Sequence, residues 1–177
     1  MHTYKNFCTI SFFFIVLCGC TRQNPNKQLE QGILKENTIE NNENFTYSIN
    51  EQVYVPIYSD IYNKTKDFRF LLTATLSIRN TSAKDSLFIK NADYYDTQGN
   101  FVRSYIKRPI YLKPLESIEY VIEEKDTLGG SGANFIITWG AHNSVKPIFQ
   151  GVMVGISGQQ GFAFTTDGVT ISNGNDD

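Results

Sequence analysis

The stretch FLLTATLSIRN, Phe70 to Asn80, decides the fold class, because its apolar residues recur at every second position. Phe70, Leu72, Ala74, Leu76 and Ile78 fall on one side of an extended chain, and Thr73, Thr75, Ser77 and Arg79 fall on the other. This is the pattern of a half-buried strand. It recurs in SIEYVIEE, where Ile118, Tyr120 and Ile122 oppose Ser117, Glu119 and Glu123, and in NFIITW, where Phe135, Ile137 and Trp139 share a side. Looser strand candidates are Val53 to Tyr58, Leu87 to Tyr95, Phe101 to Ile106, Ile148 to Ile156 and Phe162 to Thr166.

Turn signals separate these runs. DTQGN, Asp96 to Asn100, has the glycine expected at a left-handed position of a short hairpin. KPL at Lys113 to Leu115, VKP at Val145 to Pro147 and SGQQG at Ser157 to Gly161 punctuate the chain in the same way. Eight or so short strands with no convincing helix between them predict an all-β domain: an immunoglobulin-like antiparallel β-sandwich, with a small barrel as the alternative. No internal repeat is evident, and the strand spacings are too uneven for propeller blades. The sandwich is expected over residues 51–172, with 173–177 a disordered tail.

The amino-terminal region reads differently. Lys5 precedes the apolar run FFFIVL, Phe12 to Leu17, which ends at CGC. Roughly ten apolar residues are too few to cross a hydrocarbon core, which takes about 20 in a helix, so residues 1–19 read as a secretory signal peptide. Leu17-Cys18-Gly19-Cys20 resembles a bacterial lipobox, in which the last cysteine receives diacylglycerol and becomes the new amino terminus. All three cysteines, Cys8, Cys18 and Cys20, lie at or before that point, so the mature domain has no thiol for a disulfide or a metal. Residues 20–50 are rich in Asn, Gln, Glu and Lys and carry too few apolar groups to offset the entropy of ordering, which predicts a flexible tether. Thr21 after the cysteine, rather than Asp, points by the lipoprotein sorting pattern to the outer membrane, facing the periplasm.

Composition narrows the function. With 41% hydrophobic and 19% charged residues in 177, the chain suits one globular domain. Sixteen basic against 18 acidic residues leave a net charge of -2, which offers no broad positive surface for nucleic-acid phosphates. The glycine stretch DTLGGSGANFIITW, Asp126 to Trp139, lacks the lysine and hydroxyl of a phosphate loop, and Phe135 stands where the third glycine of a dinucleotide fingerprint would be. It reads as a strand connection whose amides could at most form a small anion nest. His142 is the only histidine beyond the signal peptide, so neither a nucleophile with its base nor a zinc site is assigned. Asp93 with Asp96, and Glu123, Glu124 and Asp126, read as solvated caps beside turns. No catalytic residue, metal or cofactor follows from the residues.

YVPIYSDIY, LTATLSIRNT, DYYDTQGNFVRSY, DTLGGSGANFIITW and SGQQGFAF together resemble a bacterial family of exported proteins, domain of unknown function 3124, from about Tyr54 to Phe164. The resemblance implies an envelope-associated protein and draws attention to Asp96, Arg103, Asp126, Asn134, Gln159 and Gln160. On a structural account Asp96 and Asp126 cap turns, Asn134 satisfies backbone at a strand entry and the glutamines fix a loop. On a functional account Arg103, Asp126, Asn134 and the glutamines converge at one end of the sandwich.

The sequence thus leads to a lipid-anchored envelope module that binds or scaffolds a protein partner or an envelope polymer, with its oligomeric state open. Two alternatives stand beside it. One is a hydrolase using Asp126 or Glu124 with glycine-loop amides, and the other a carrier of lipid or small ligands between the sheets. The anchor is directly testable. Wild-type protein is expected to take up labelled palmitate and partition with membranes, and Cys20→Ala to do neither; a Cys20→Ala protein that stays with the membrane, together with a native chain that never incorporates palmitate, would remove the lipoprotein assignment.

Overall fold

The computed structural model describes residues 47–173, so Cys20, the signal peptide, most of the expected tether and the last four residues lie outside the described part. The described chain is all-β and antiparallel. In order, the strands are β1 Ile49–Ile57, β2 Asp60–Asn63, β3 Thr65–Leu71, β4 Thr73–Arg79, β5 Leu87–Tyr95 and β6 Phe101–Ser104. They continue with β7 Ile110–Leu112, β8 Ser117–Ile122, β9 Ala133–Ala141, β10 Ile148–Ser157, β11 Gln160–Asp167 and β12 Val169–Asn173. A single 3-10 turn, Gly130–Gly132, interrupts them among the described residues.

Two sheets make the sandwich. One runs β12-β1-β9-β5-β6, with β7 pairing further along the free edge of β5; the other runs β11-β10-β4-β8. Strands β4 and β8 are neighbours in one sheet, β5 and β9 in the other, and both the β4 to β5 and the β8 to β9 connections cross between sheets. That is the arrangement of the four inner strands of an immunoglobulin sandwich. The flanks differ: the first strand, β1, sits beside β9, and β10 sits beside β4, so the outer strands have traded sheets relative to that pattern. A small separate hairpin, β2–β3, stands between β1 and β4.

The expected periodicity explains the core. Ala74, Leu76 and Ile78 of β4 face Phe135, Ile137 and Trp139 of β9, and all six are buried. Each large side chain so placed contributes about 1.5–3 kcal/mol through removal from water. Phe70, however, is not part of the strand that FLLTATLSIRN suggests. The chain breaks at Leu72, and Phe70 belongs to β3, where it pairs with Ile61 and sits 6.0 Å from the ring of Phe162.

Strand β5 shows why its own pattern looked loose. Leu87 and Ile89 are buried, and so are Ala92 and Tyr94, so the inward parity changes in mid-strand. Ile89 pairs with Trp139 and Asn91 with Thr138, leaving Lys90 as the extra residue of a β-bulge. Its ammonium bonds the side chain of Asn50 at 2.8 Å. Deleting Lys90 restores strict alternation with every inward residue kept. The deletion is expected to cost only about 1–2 kcal/mol, the worth of that hydrogen bond and of the ammonium's 4.6 Å contact with the Tyr47 ring, in urea unfolding. Deleting Asp93 shortens β5 equally but turns Asn91 inward in place of Ala92, and burying that amide should cost about 2 kcal/mol more. Equal losses for the two deletions would rule out the bulge as the element that sets the phase.

Candidate functional site

The six candidate residues all lie toward one end of the sandwich, where β1, β5, β8 and β10 end and β4, β6, β9 and β11 begin. The β2–β3 hairpin projects at the same end. The structure brings only two of the six into contact. The Arg103 guanidinium donates through Nη2 to Asp126 Oδ2 and forms an ion pair with it. Its Nε donates to the hydroxyl of Tyr105 at 3.1 Å, and its Cζ lies 5.4 Å from the ring centre of Tyr94 and 5.3 Å from that of Tyr105.

Arg103 takes this position because β6 pairs with β5 so that Arg103 stands opposite Tyr94, and cross-strand partners share a face. Tyr94 faces the core, so Arg103 also faces inward, at the margin where the sheets separate. Below it the core is filled by aromatic rings: Tyr94 to Phe135 at 5.1 Å, Tyr105 to Phe135 at 5.2 Å and Tyr105 to Tyr120 at 5.5 Å. Burial works against the Arg103 charge, but the hydrogen bonds with Tyr105 and Asp126 outweigh it and hold its pKa above the ordinary arginine value.

Around Tyr94 the glycine stretch finds its explanation. The Tyr94 hydroxyl shares a buried 2.8 Å hydrogen bond with Ser59 Oγ, and a Cβ on Gly129 would fall 1.8 Å from that hydroxyl oxygen. Gly130 has φ +75°, which L side chains rarely adopt. Thr97 fastens the loop: its amide and its hydroxyl donate to Gly129 C=O at 2.9 and 2.8 Å, and its Oγ1 accepts from the Gly132 amide at 2.9 Å. The Ser59 amide bonds Gly130 C=O at 3.0 Å. The glycines therefore let the β8–β9 loop lie directly on Tyr94, and the Gly132 amide, one donor an anion nest would use, is taken by Thr97.

Asp96 serves its own turn. Oδ1 accepts from the amides of Gln98 at 2.9 Å and Asn100 at 2.8 Å, and Oδ2 from the Asn100 side chain at 2.9 Å. Those bonds to the charged form, led by Asn100, hold its pKa below the ordinary aspartate value. Asp126 combines the Arg103 contact with a 3.3 Å bond from the Leu128 amide. Asn134, buried in β9, lies between Pro56 and Tyr95 on the outer side of its sheet, since Ala133 and Phe135 face inward. Gln159 and Gln160 are exposed at the β10–β11 tip, where Gly158, at φ +62°, opens a two-residue turn. Asp126, Asn134 and Gln160 thus point to three separate places, whereas Ser59, Tyr94, Thr97 and Tyr105, which sequence reasoning did not single out, hold the loop end together.

A family model described as protein of unknown function (DUF3124) matches residues 50–171. The chain belongs to this family. No curated protein matches it. Among solved structures, the crystal structure of Thermotoga maritima 1070 is similar over 67% of this chain and 92% of that one, at 14% identity and a TM-score of 0.39. In this DUF3124 chain the tyrosine cluster gives the loop end a pH signature. Burial raises the pKa of both Tyr94 and Tyr105 above the ordinary 10.0, with the Ser59 and Arg103 hydrogen bonds acting in the opposite direction. The folded state then holds these protons more tightly than the unfolded chain. Their contribution is complete below the unfolded value near 10, and is lost as pH rises through the higher folded values. Urea unfolding between pH 8 and 11.5 is expected to show stability falling above pH 10, more gently in the Tyr94→Phe/Tyr105→Phe double variant. An unchanged slope in that variant would show that the pair is not the source.

Proposed function

We propose that this member of the DUF3124 family is a lipid-anchored bacterial envelope protein whose sandwich is a non-catalytic binding module, held by acylated Cys20 at the outer membrane and facing the periplasm. Strand β1 begins at the end of the domain nearer the anchor and finishes at the loop end, eight residues later. At about 3.3 Å per residue the loop end lies about 26 Å from the first residue of the strand.

One observation carries the reading. Among the described residues twelve large apolar side chains are exposed, and eight of them stand on elements at the loop end, including Tyr62 at 55%, Phe68 at 55%, Leu128 at 65% and Ile156 at 74% exposure. Exposed apolar side chains gathered in this way mark surfaces that bind other proteins, which favours a protein partner over an envelope polymer. Catalysis by Asp126 draws no comparable support, because its carboxylate is already engaged by Arg103 and by the Leu128 amide.

The test uses the full acylated protein in its own cells. Cross-linking and pulldown with Phe68→Glu/Ile156→Glu is expected to lose the partners recovered by wild type. Leu115→Glu, at an equally exposed site toward the anchor end, should keep them, as should any variant whose only defect is a changed surface charge. Identical partners from all three proteins would exclude the loop end as the binding surface.

A further inference from the structure

At the opposite end of the sandwich, where β1 begins and β9 ends, an open cleft of about 530 Å³ enters between the sheets. That volume lies within the range of small-molecule sites, roughly 300–1,000 Å³. Its inner wall is apolar, formed by Val53, Val145 and Phe149, all buried. Two carboxylates, Glu51 and Asp167, and one ammonium, Lys146, stand around it. Trp139 also lines the cleft, and among the described residues its indole Nε1 is buried with no hydrogen-bond partner. Buried donors are almost always paired, so an unpaired one on a residue that lines a cleft asks for an acceptor.

Glu51 stands directly opposite Trp139 in the β1–β9 ladder, so both side chains leave the same face about 5 Å apart at Cβ. A carboxylate and an N–H donor on directly opposed residues of one face can serve an ammonium group and a carbonyl oxygen carried on adjacent carbons of one ligand. We propose that the cleft binds the α-amino carbonyl group of an amino-acid amide or of a free peptide amino terminus. The ammonium meets Glu51, the carbonyl accepts from Trp139 Nε1, and an apolar side chain packs on Val53, Val145 and Phe149. Asp167 adds to the negative field that favours a cation, although its Oδ1 is partly engaged by Gln150 Nε2 at 2.9 Å. The indole N–H is itself closed to water, so a side chain beside it has to shift as the carbonyl enters. This proposal stands apart from the loop end and from the anchor.

Trp139 is the only tryptophan in the sequence, so its indole N–H gives one assignable NMR resonance. The full chain in detergent would be titrated with leucinamide, with the peptide Leu-Gly-Gly, with N-acetylleucinamide, which lacks the charge, and with 3-methylbutylamine, which lacks the carbonyl. Leucinamide is expected to move the resonance downfield and saturably, with both stripped analogues at least tenfold weaker. Glu51→Gln should weaken leucinamide at least tenfold while leaving the thermal unfolding midpoint in place. A peptide response equal to that of leucinamide assigns the site to peptide ends, and a response to leucinamide alone assigns it to the free amide. No saturable shift with either compound, an equal response to N-acetylleucinamide, or an unchanged affinity in Glu51→Gln would each overturn the proposal.

Discussion

The close approach of the β8–β9 loop to Tyr94 is the constraint on which the loop end depends. Tyr94 is buried between the sheets, its hydroxyl reaches the equally buried Ser59 beneath the loop, and the backbone of Gly129 lies so near that no side chain fits there. One aromatic residue therefore belongs to the core and to the loop at once. Its ring packs on Phe135 and faces the Arg103 guanidinium, so the cation sits over aromatic faces rather than in bulk water. Asp126, on the same loop, then neutralises that cation. The glycines, the tyrosine, the arginine and the aspartate form one arrangement, and none of them keeps its surroundings if the loop lifts.

How much of this could be read from the sequence depended on whether one face of a strand is buried. Strands β8 and β9 are legible because Ile118, Tyr120 and Ile122, and Phe135, Ile137 and Trp139, alternate without a break. β5 was readable only as a loose candidate because the bulge at Lys90 moves the inward parity from odd to even positions. The β2–β3 hairpin escaped because β3, TKDFRFL, exposes nearly every residue and carries no core face for a period to report. β7, with three residues, is below the length at which alternation can be distinguished from chance, and β12, VTISN, alternates but leaves Val169 and Ile171 exposed and so carries no core face.

The candidate site was legible residue by residue but not as a set. Asp96 reads correctly as a turn residue because its partners, Gln98 and Asn100, are local. The Arg103 to Asp126 contact spans 23 positions and two strand connections, and only the register of β6 on β5 turns Arg103 inward to meet it. The prominence of SGQQG comes from the turn that Gly158 makes, while its glutamines point into solvent. A short polar motif can thus owe its glycines to backbone geometry, apart from whatever its exposed side chains do. Tyr94 and Tyr105 went unnoticed for the converse reason: in a chain with 10 tyrosines, nothing local distinguishes two that bury their hydroxyls against Ser59 and Arg103.

The two ends of the sandwich differ in chemistry because they close in different ways. At the loop end the aromatic stack of Tyr94, Tyr105, Tyr120 and Phe135 fills the gap between the sheets, so apolar surface there is displayed outward on the hairpin and the β10 tip. At the opposite end β9 finishes on Trp139 to Ala141 and, among the described residues, no equivalent stack fills the space between the sheets beyond Phe149, so they part into a cleft with charged groups at its margin. A filled end with exposed apolar groups suits a broad macromolecular surface, and a parted end with a buried unpaired donor suits a compact polar group. Because the same β1 and β9 run the whole length between them, in register from Ile49 with Ala141 to Ile57 with Ala133, a shift of one end along that ladder would have to move the other. The stiffness of that pairing keeps the two ends of the sandwich at a fixed separation.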